Sequence, residues 1–207
     1  SRTVSGVKIK LCGMFRGCDI DYVNEALPDY IGFIVMFPKS HRNIDLEAAK
    51  QLKSRLDGRI KSVAVSVNAP PEEFARFANE GAADILQLHG SEDAEYIARL
   101  RKLTSAPLIK AVKVISREDI IRADELDVDF LLLDGGTGSG VMFDHALVDP
   151  SQIRKPFFLA GGLTPENIAE AAERIRPYGV DLSSGIETDR LKDREKILAA
   201  VKNIRNN

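Results

Sequence analysis

The chain predicts a single (β/α)8 barrel over residues 1–207, and three observations carry that expectation. Eight short apolar runs recur through it: VKIKLCG (7–13), YIGFIVM (30–36), SVAVSV (62–67), ILQLHG (85–90), LIKAVKV (108–114), DFLLLDG (129–135), PFFLAGG (156–162) and VDLSSG (180–185). Polar segments of helical character separate them, the alternation of a parallel sheet whose strands are buried on both faces. A length of 207 residues fits one compact barrel better than two domains. The main rival is an open doubly wound sheet. Its dinucleotide-binding form would show G-x-G-x-x-G after the first strand, and that motif is absent there.

Most of the connecting segments carry their own start and stop signals. CDIDYVNEAL (18–27) supports a brief helix after the first run. DLEAAKQLKSRL (45–56) opens on Asp45 and lines up Leu46, Ala49, Leu52 and Leu56 on one face. PPEEFARFANEG (70–81) begins with prolines and acids and closes on Gly81. SEDAEYIARLRKL (91–103) offers Ser91 as N-cap with acids in the first turn, and SREDIIRADEL (116–126) repeats that pattern. After the sixth run, FDHALVDPSQI (143–153) supports only a turn or two. TPENIAEAAERIRP (164–177) has Thr164 as N-cap and Pro165 at the first helical position, and DREKILAAVKNIR (193–205) forms the last helix.

Composition narrows the function. With 44% hydrophobic and 29% charged residues, the chain reads as a soluble globule with a substantial core. A net charge of −2 gives no basic footprint for nucleic acid. The apolar runs are far too short to span a membrane, and SRTVSG at the start lacks the pattern of a signal peptide. Two cysteines, Cys12 and Cys18, do not make a disulfide framework, so the expected compartment is a reducing cytoplasm. Their Cys-x5-Cys spacing and the scattered His41, His89 and His145 do not suit zinc. The partner implied is a small molecule; monomer and homodimer both remain open.

In a barrel, chemistry gathers at the C-terminal ends of the strands. Gly161-Gly162 ends the seventh run before a helix, and Ser183-Ser184-Gly185 ends the eighth. Two small-residue turns on adjacent strands suit a phosphate cup of backbone N–H groups, although they could be turns alone. The substrate expected is therefore a phosphorylated metabolite. Cys12, directly before Gly13, would sit at the mouth as nucleophile or base, or else as a packed core thiol. Cys18 reads as packing. Asp134, after four apolar residues and before GGTGSG, suits acid–base work more than a cap or ion pair, with the loop 135–140 as a lid. Arg42, in the loop after the second run, could hold a planar carboxylate in a bidentate contact or simply be exposed. Lys110 is expected to pair inside the barrel with acids from other strands. For His89, ring-orienting, structural and catalytic roles all remain open.

The segments KLCGM, GFIVMFPKSHRNI, LQLHG, LLLDGGTGSGVMFD, FLAGGLTPENI and VDLSSGIE resemble the phosphoribosylanthranilate isomerase family of tryptophan biosynthesis. The resemblance covers nearly the whole chain in the right order. It implies an Amadori rearrangement of an N-phosphoribosyl aminoaldose to a 1-deoxyribulose 5-phosphate ketose. Asp134 would be the general acid that opens the furanose, and Cys12 the general base that removes the proton beside the iminium. Arg42 would meet the anthranilate carboxylate, while Gly161, Gly162, Ser183, Ser184 and Gly185 would hold the phosphate. No cofactor is called for, because the iminium is itself the electron sink. Three departures stand out: Phe15 where the family often has threonine, His145 where Phe-Asp-Trp is usual, and an altered glycine signature at Thr137-Gly138-Ser139-Gly140. The related histidine-pathway isomerases use aspartates for both roles, which Cys12 does not match. A barrel that kept the phosphate cup and lost catalysis would not need both Cys12 and Asp134.

Overall fold

A computed structural model describes residues 6–135 and 142–206. Each of the eight apolar runs forms one strand of a closed parallel barrel. The strands are β1 (Lys8–Cys12), β2 (Tyr30–Val35), β3 (Lys61–Ser66), β4 (Ile85–Leu88), β5 (Leu108–Lys113), β6 (Phe130–Asp134), β7 (Phe157–Leu159) and β8 (Gly179–Leu182). They follow one another around the barrel in chain order, and β1 closes it by pairing with both β2 and β8. The closing register sets Lys10 opposite Asp181 and Leu11 opposite Leu182. An antiparallel hairpin, Glu187–Thr188 with Leu191–Lys192, follows β8.

The outer layer consists of α1 (Gly17–Ala26), α2 (Leu46–Arg55), α3 (Pro71–Asn79), α4 (Ala94–Leu103), α5 (Arg117–Asp124), α6 (Ile168–Ile175) and α7 (Arg194–Arg205). Among the described residues after β6 there are two single 3-10 turns, His145–Leu147 and Pro150–Gln152, where the sequence supports no more than that. Asp144 and Asp149 cap them by accepting from the amides of Ala146 and Ser151.

Two expected caps lie elsewhere. Ser91 is tied sideways, its amide and hydroxyl both donating to Asn68 Oδ1, and Asp93 caps α4 by accepting from Tyr96 N at 2.9 Å. At α6 the capping position falls to Asn167 rather than Thr164. Asn167 Oδ1 accepts from Thr164 N at 2.8 Å and its Nδ2 donates to Gly162 O at 3.1 Å. That bridge folds residues 164–167 into a turn, so the helix starts one turn later than the proline suggests.

Strand alternation creates two cores. Ile9, Leu11, Ile31, Phe33, Leu86, Leu88, Leu131 and Leu133 face the helices. Tyr30, Val63, Val65, Ile85, Ile109, Leu132 and Phe158 fill the interior. The N-terminal end of that interior is an aromatic floor. Phe130, Phe158, Tyr30 and Tyr178 pack ring against ring, and the two tyrosine hydroxyls bond each other at 2.6 Å.

Candidate active site

The C-terminal mouth opens into a cavity of about 510 Å³. Cys12, Arg42, Asp134, Gly161, Gly162, Ser183 and Ser184 all line it, together with Gln87, His89 and Asp181. Gly185 does not line it. A Cβ there would fall 2.0 Å from Leu163 O, so this glycine lets the turns after β7 and β8 approach each other. Gly161 and Gly162 have φ of 90° and 68°, a backbone that favours glycine. Ser184–Ile186 is one 3-10 turn whose leading amides have no partner within the turn. Ser183 Oγ donates to Cys12 O at 3.2 Å, tying this turn to the end of β1.

Cys12 points inward at the last position of β1 and is 6% exposed. The facing position on β2 is Gly32, where a Cβ would stand 2.5 Å from Sγ. Burial pushes the Cys12 thiol up, and Lys10 then pulls it back more than any other cation. Lys10, two residues earlier on the same face, is fully buried and donates to Asp181 Oδ1 at 3.0 Å. Burial alone would lower its ammonium, but Asp181 and then Cys12 outweigh that and raise it.

Arg42 sits in the loop after β2, which Asn43 closes by accepting from Phe37 N at 2.8 Å. Its guanidinium already holds an internal carboxylate: Nε and Nη2 donate to Glu187 at 2.7 and 2.6 Å. The bidentate fork expected for substrate is thus used on its Nε side. Among the described residues nothing engages Nη1. Glu187 also accepts from Lys192 Nζ at 2.6 Å, and Lys192 donates to Ser183 O at 3.2 Å. Burial would raise the Glu187 carboxyl, yet Arg42 and Lys192 together hold it below its ordinary value.

Across the mouth, Asp134 ends β6 with His89 Nε2 at 3.6 Å from its Oδ2. Gln87 Nε2 lies 2.9 Å from His89 Nδ1. With the amide donating there, the ring proton sits on Nε2 and faces Asp134. Lys110, expected to pair inside the barrel with acids from other strands, lies between the inward-facing Ile109 and Ala111; it faces the helix layer instead and pairs with the loop after β4. Its Nζ donates to Gly90 O and Glu92 Oε1 at 2.8 and 3.0 Å. Glu92 in turn accepts from the amides of Asn68 and Gly90, so this buried pair fixes the backbone beside His89.

Cys18 starts α1, half-buried and away from the cavity. Phe15 meets His41 edge-on at 6.0 Å, and His145 packs against Phe143 and Arg174. The altered glycine signature and most of the expected lid, residues 136–140, lie outside the described residues. The sequence reading passed over Gln87, Asp181, Glu187 and Lys192, and took Lys10 only as part of a strand. Polar residues at inward strand positions were the available signal for Lys10, Gln87 and Asp181.

A thiol and a carboxylate open onto one cavity at the strands' C-terminal ends, with small-residue turns on the strands between them, the place where (β/α)8-barrel enzymes carry their active sites. The profile of the N-(5'phosphoribosyl)anthranilate (PRA) isomerase family matches residues 9–203, and the chain belongs to that family. A relative from Endomicrobium trichonymphae, named N-(5'-phosphoribosyl)anthranilate isomerase, is 43% identical over 203 residues, covering 96% of this chain and 98% of its own. A phosphoribosyl anthranilate isomerase solved with reduced 1-(o-carboxyphenylamino)-1-deoxyribulose 5-phosphate superposes with a TM-score of 0.83 at 33% identity. That match covers 97% of this chain and 99% of the other. The Thermotoga maritima enzyme, described as dimeric and solved as generated monomers, gives the same TM-score, identity and coverage.

Proposed function

We propose that this isomerase converts N-(5'-phosphoribosyl)anthranilate to 1-(2-carboxyphenylamino)-1-deoxyribulose 5-phosphate, with Asp134 as general acid and Cys12 as general base. The observation that carries the reading is the shared cavity. It brings Cys12, Asp134 and the two small-residue turns to one space of a size suited to a small-molecule ligand. The relative solved with the reduced product supports the substrate class.

The phosphate rests on the amides of Gly161, Gly162, Ser183 and Ser184, with Gly185 letting the turns close together. Asp134 delivers a proton to the ribose ring oxygen; the C1–O bond breaks and an iminium forms. His89 Nε2, 3.6 Å from Oδ2, faces the carboxyl through this transfer. Cys12 as thiolate then takes the C2 proton, and the resulting enolamine tautomerises to the ketone. Arg42 meets the anthranilate carboxylate with its Nη1 edge while Glu187 keeps the guanidinium oriented. No described helix is long and apolar enough to cross a membrane. Free Cys12 and Cys18 suit the reducing cytoplasm, and a homodimer is the assembly favoured by the Thermotoga maritima relative.

Steady-state turnover of phosphoribosylanthranilate, followed by its fluorescence, tests the reading. Cys12→Ser and Asp134→Asn should each lower kcat by about 10²–10⁴-fold with the fold intact. A wild-type chain inert on this substrate would reject the function, and wild-type rates in either variant would reject the assigned pair.

A further inference from the structure

Lys10 is a lysine with no exposed surface, and it lies on the interior face of the barrel directly beneath the cavity. At comparable inward positions the barrel uses Ile109 and Leu132, which need no partner. A buried ammonium is costly unless paired, and replacing such a pair by apolar packing is often neutral or better for stability. The pair with Asp181 therefore calls for another reason.

Geometry supplies one. Lys10 and Asp181 are directly opposed across the β1–β8 seam, and Cys12 is the next inward residue on β1. Cys12 and Asp181 line the cavity, while Lys10, level with Asp181, lies one inward step below Cys12 and interacts with both. The charged groups around the thiol are Lys10 from β1, Asp181 from β8, Lys192 from the hairpin and Arg42 from the loop after β2. Glu187 already engages the last two. From β2 the facing residue is Gly32, which brings no charge.

We propose that Lys10 is a positioning residue for proton abstraction: held in place by Asp181, its ammonium is the fixed counter-charge beside which the Cys12 thiolate forms. This rests on the reading of Cys12 as general base. The arrangement gives the two partners opposite effects on the thiol. Lys10 favours the thiolate, and Asp181, considered alone, opposes it. A merely structural ion pair would lack that opposition, since losing either member would loosen the site in the same way.

The test reads the thiol without turnover: the rate of Cys12 alkylation by iodoacetamide against pH, in a Cys18→Ser background. Lys10→Met should move the midpoint up by about one pH unit or more, roughly tenfold less thiolate near neutrality. Asp181→Asn should move it down. The acid limb of the kcat profile should follow in the same two directions, with KM nearly constant. Should Lys10→Met alone fail to fold, the Lys10→Met/Asp181→Asn double variant carries no unpaired charge, and its midpoint should lie above that of Asp181→Asn.

Shifts of the same sign in both single variants, or no shift, would overturn the proposal. So would a double variant matching Asp181→Asn. Unchanged turnover in Cys12→Ser would mark a different failure, that of the base itself. Loss of turnover in that variant, with unmoved alkylation in the Lys10 and Asp181 variants, would reject Lys10 alone.

Discussion

The two ends of the barrel interior are built from the same eight strands and share almost no chemistry. At the floor, Tyr30, Phe130, Phe158 and Tyr178 fill the space with rings whose centroids lie 5.3 to 6.4 Å apart. The tyrosine hydroxyls there satisfy each other. Burial pushes the Tyr30 phenol up, with the bond to Tyr178 adding to that, so the floor stays uncharged. At the mouth the interior exchanges packing for Lys10, Cys12, Gln87 and Asp181, and leaves a cavity above them. Stability is thus concentrated where the strands begin and reactivity where they end, the division that lets barrel enzymes vary their chemistry without losing their fold.

If that division is real, substitutions at the two ends should fail in different assays. Phe158→Ala removes a fully buried ring from the centre of the floor and should cost about 3–5 kcal/mol. Denaturant unfolding measures this, and kcat per folded molecule should stay near wild type. A large loss of kcat in the folded fraction would mean that floor and mouth are coupled.

Arg42→Ala sharpens the contrast from the other end. The contact proposed for Arg42 is present throughout the reaction, so its loss should raise KM more than it lowers kcat. Loss of a charge-assisted contact is worth roughly 1.5–3 kcal/mol, about one to two decades. Glu187 keeps Lys192 as partner, so the melting temperature should change little. Arg42→Lys cannot serve both Glu187 and a carboxylate and should fall between wild type and alanine. If both variants keep the wild-type KM, the anthranilate pocket lies elsewhere.

The smallest effect belongs to Tyr30→Phe, which leaves the Tyr178 hydroxyl without its partner at a cost of about 1 kcal/mol. A modest drop in melting temperature with unaltered kcat and KM is the expected outcome. An altered pH profile for catalysis would break the separation between the two ends.

The architecture was legible because a parallel strand buried on both faces leaves an uninterrupted apolar run, and each run here became one strand. The mouth was only partly legible. Cys12 and Asp134 stand at run ends beside glycine, a local signal that needs no partner to be seen. Glu187 was different, for its bonds to Arg42 join residues 145 positions apart. Nothing in PKSHRNI announces that its arginine is already held. At Gly185 the sequence shows a small residue but not why it is small: a Cβ there would meet the Leu163 carbonyl. Even the misplaced caps have this origin: Ser91 and Thr164 are sound N-cap residues by type, but Asn68 and Asn167 engage them first.

The seam between β1 and β8 has a consequence for how the molecule comes into being. Lys10 and Asp181 are 171 residues apart along the chain, and Ser183 reaches back over the same separation to Cys12 O. During synthesis the strand bearing Cys12 emerges well before the strand bearing Asp181 and half of the small-residue turns. Until the final strand docks, Lys10 faces an open barrel and Cys12 has no ordered neighbour on that side. Activity is therefore acquired in one step at closure rather than accumulated along the way. A nascent or truncated chain that has not reached residue 181 holds Cys12 and Asp134, the proposed base and acid, and still lacks the walls that bring them into one cavity.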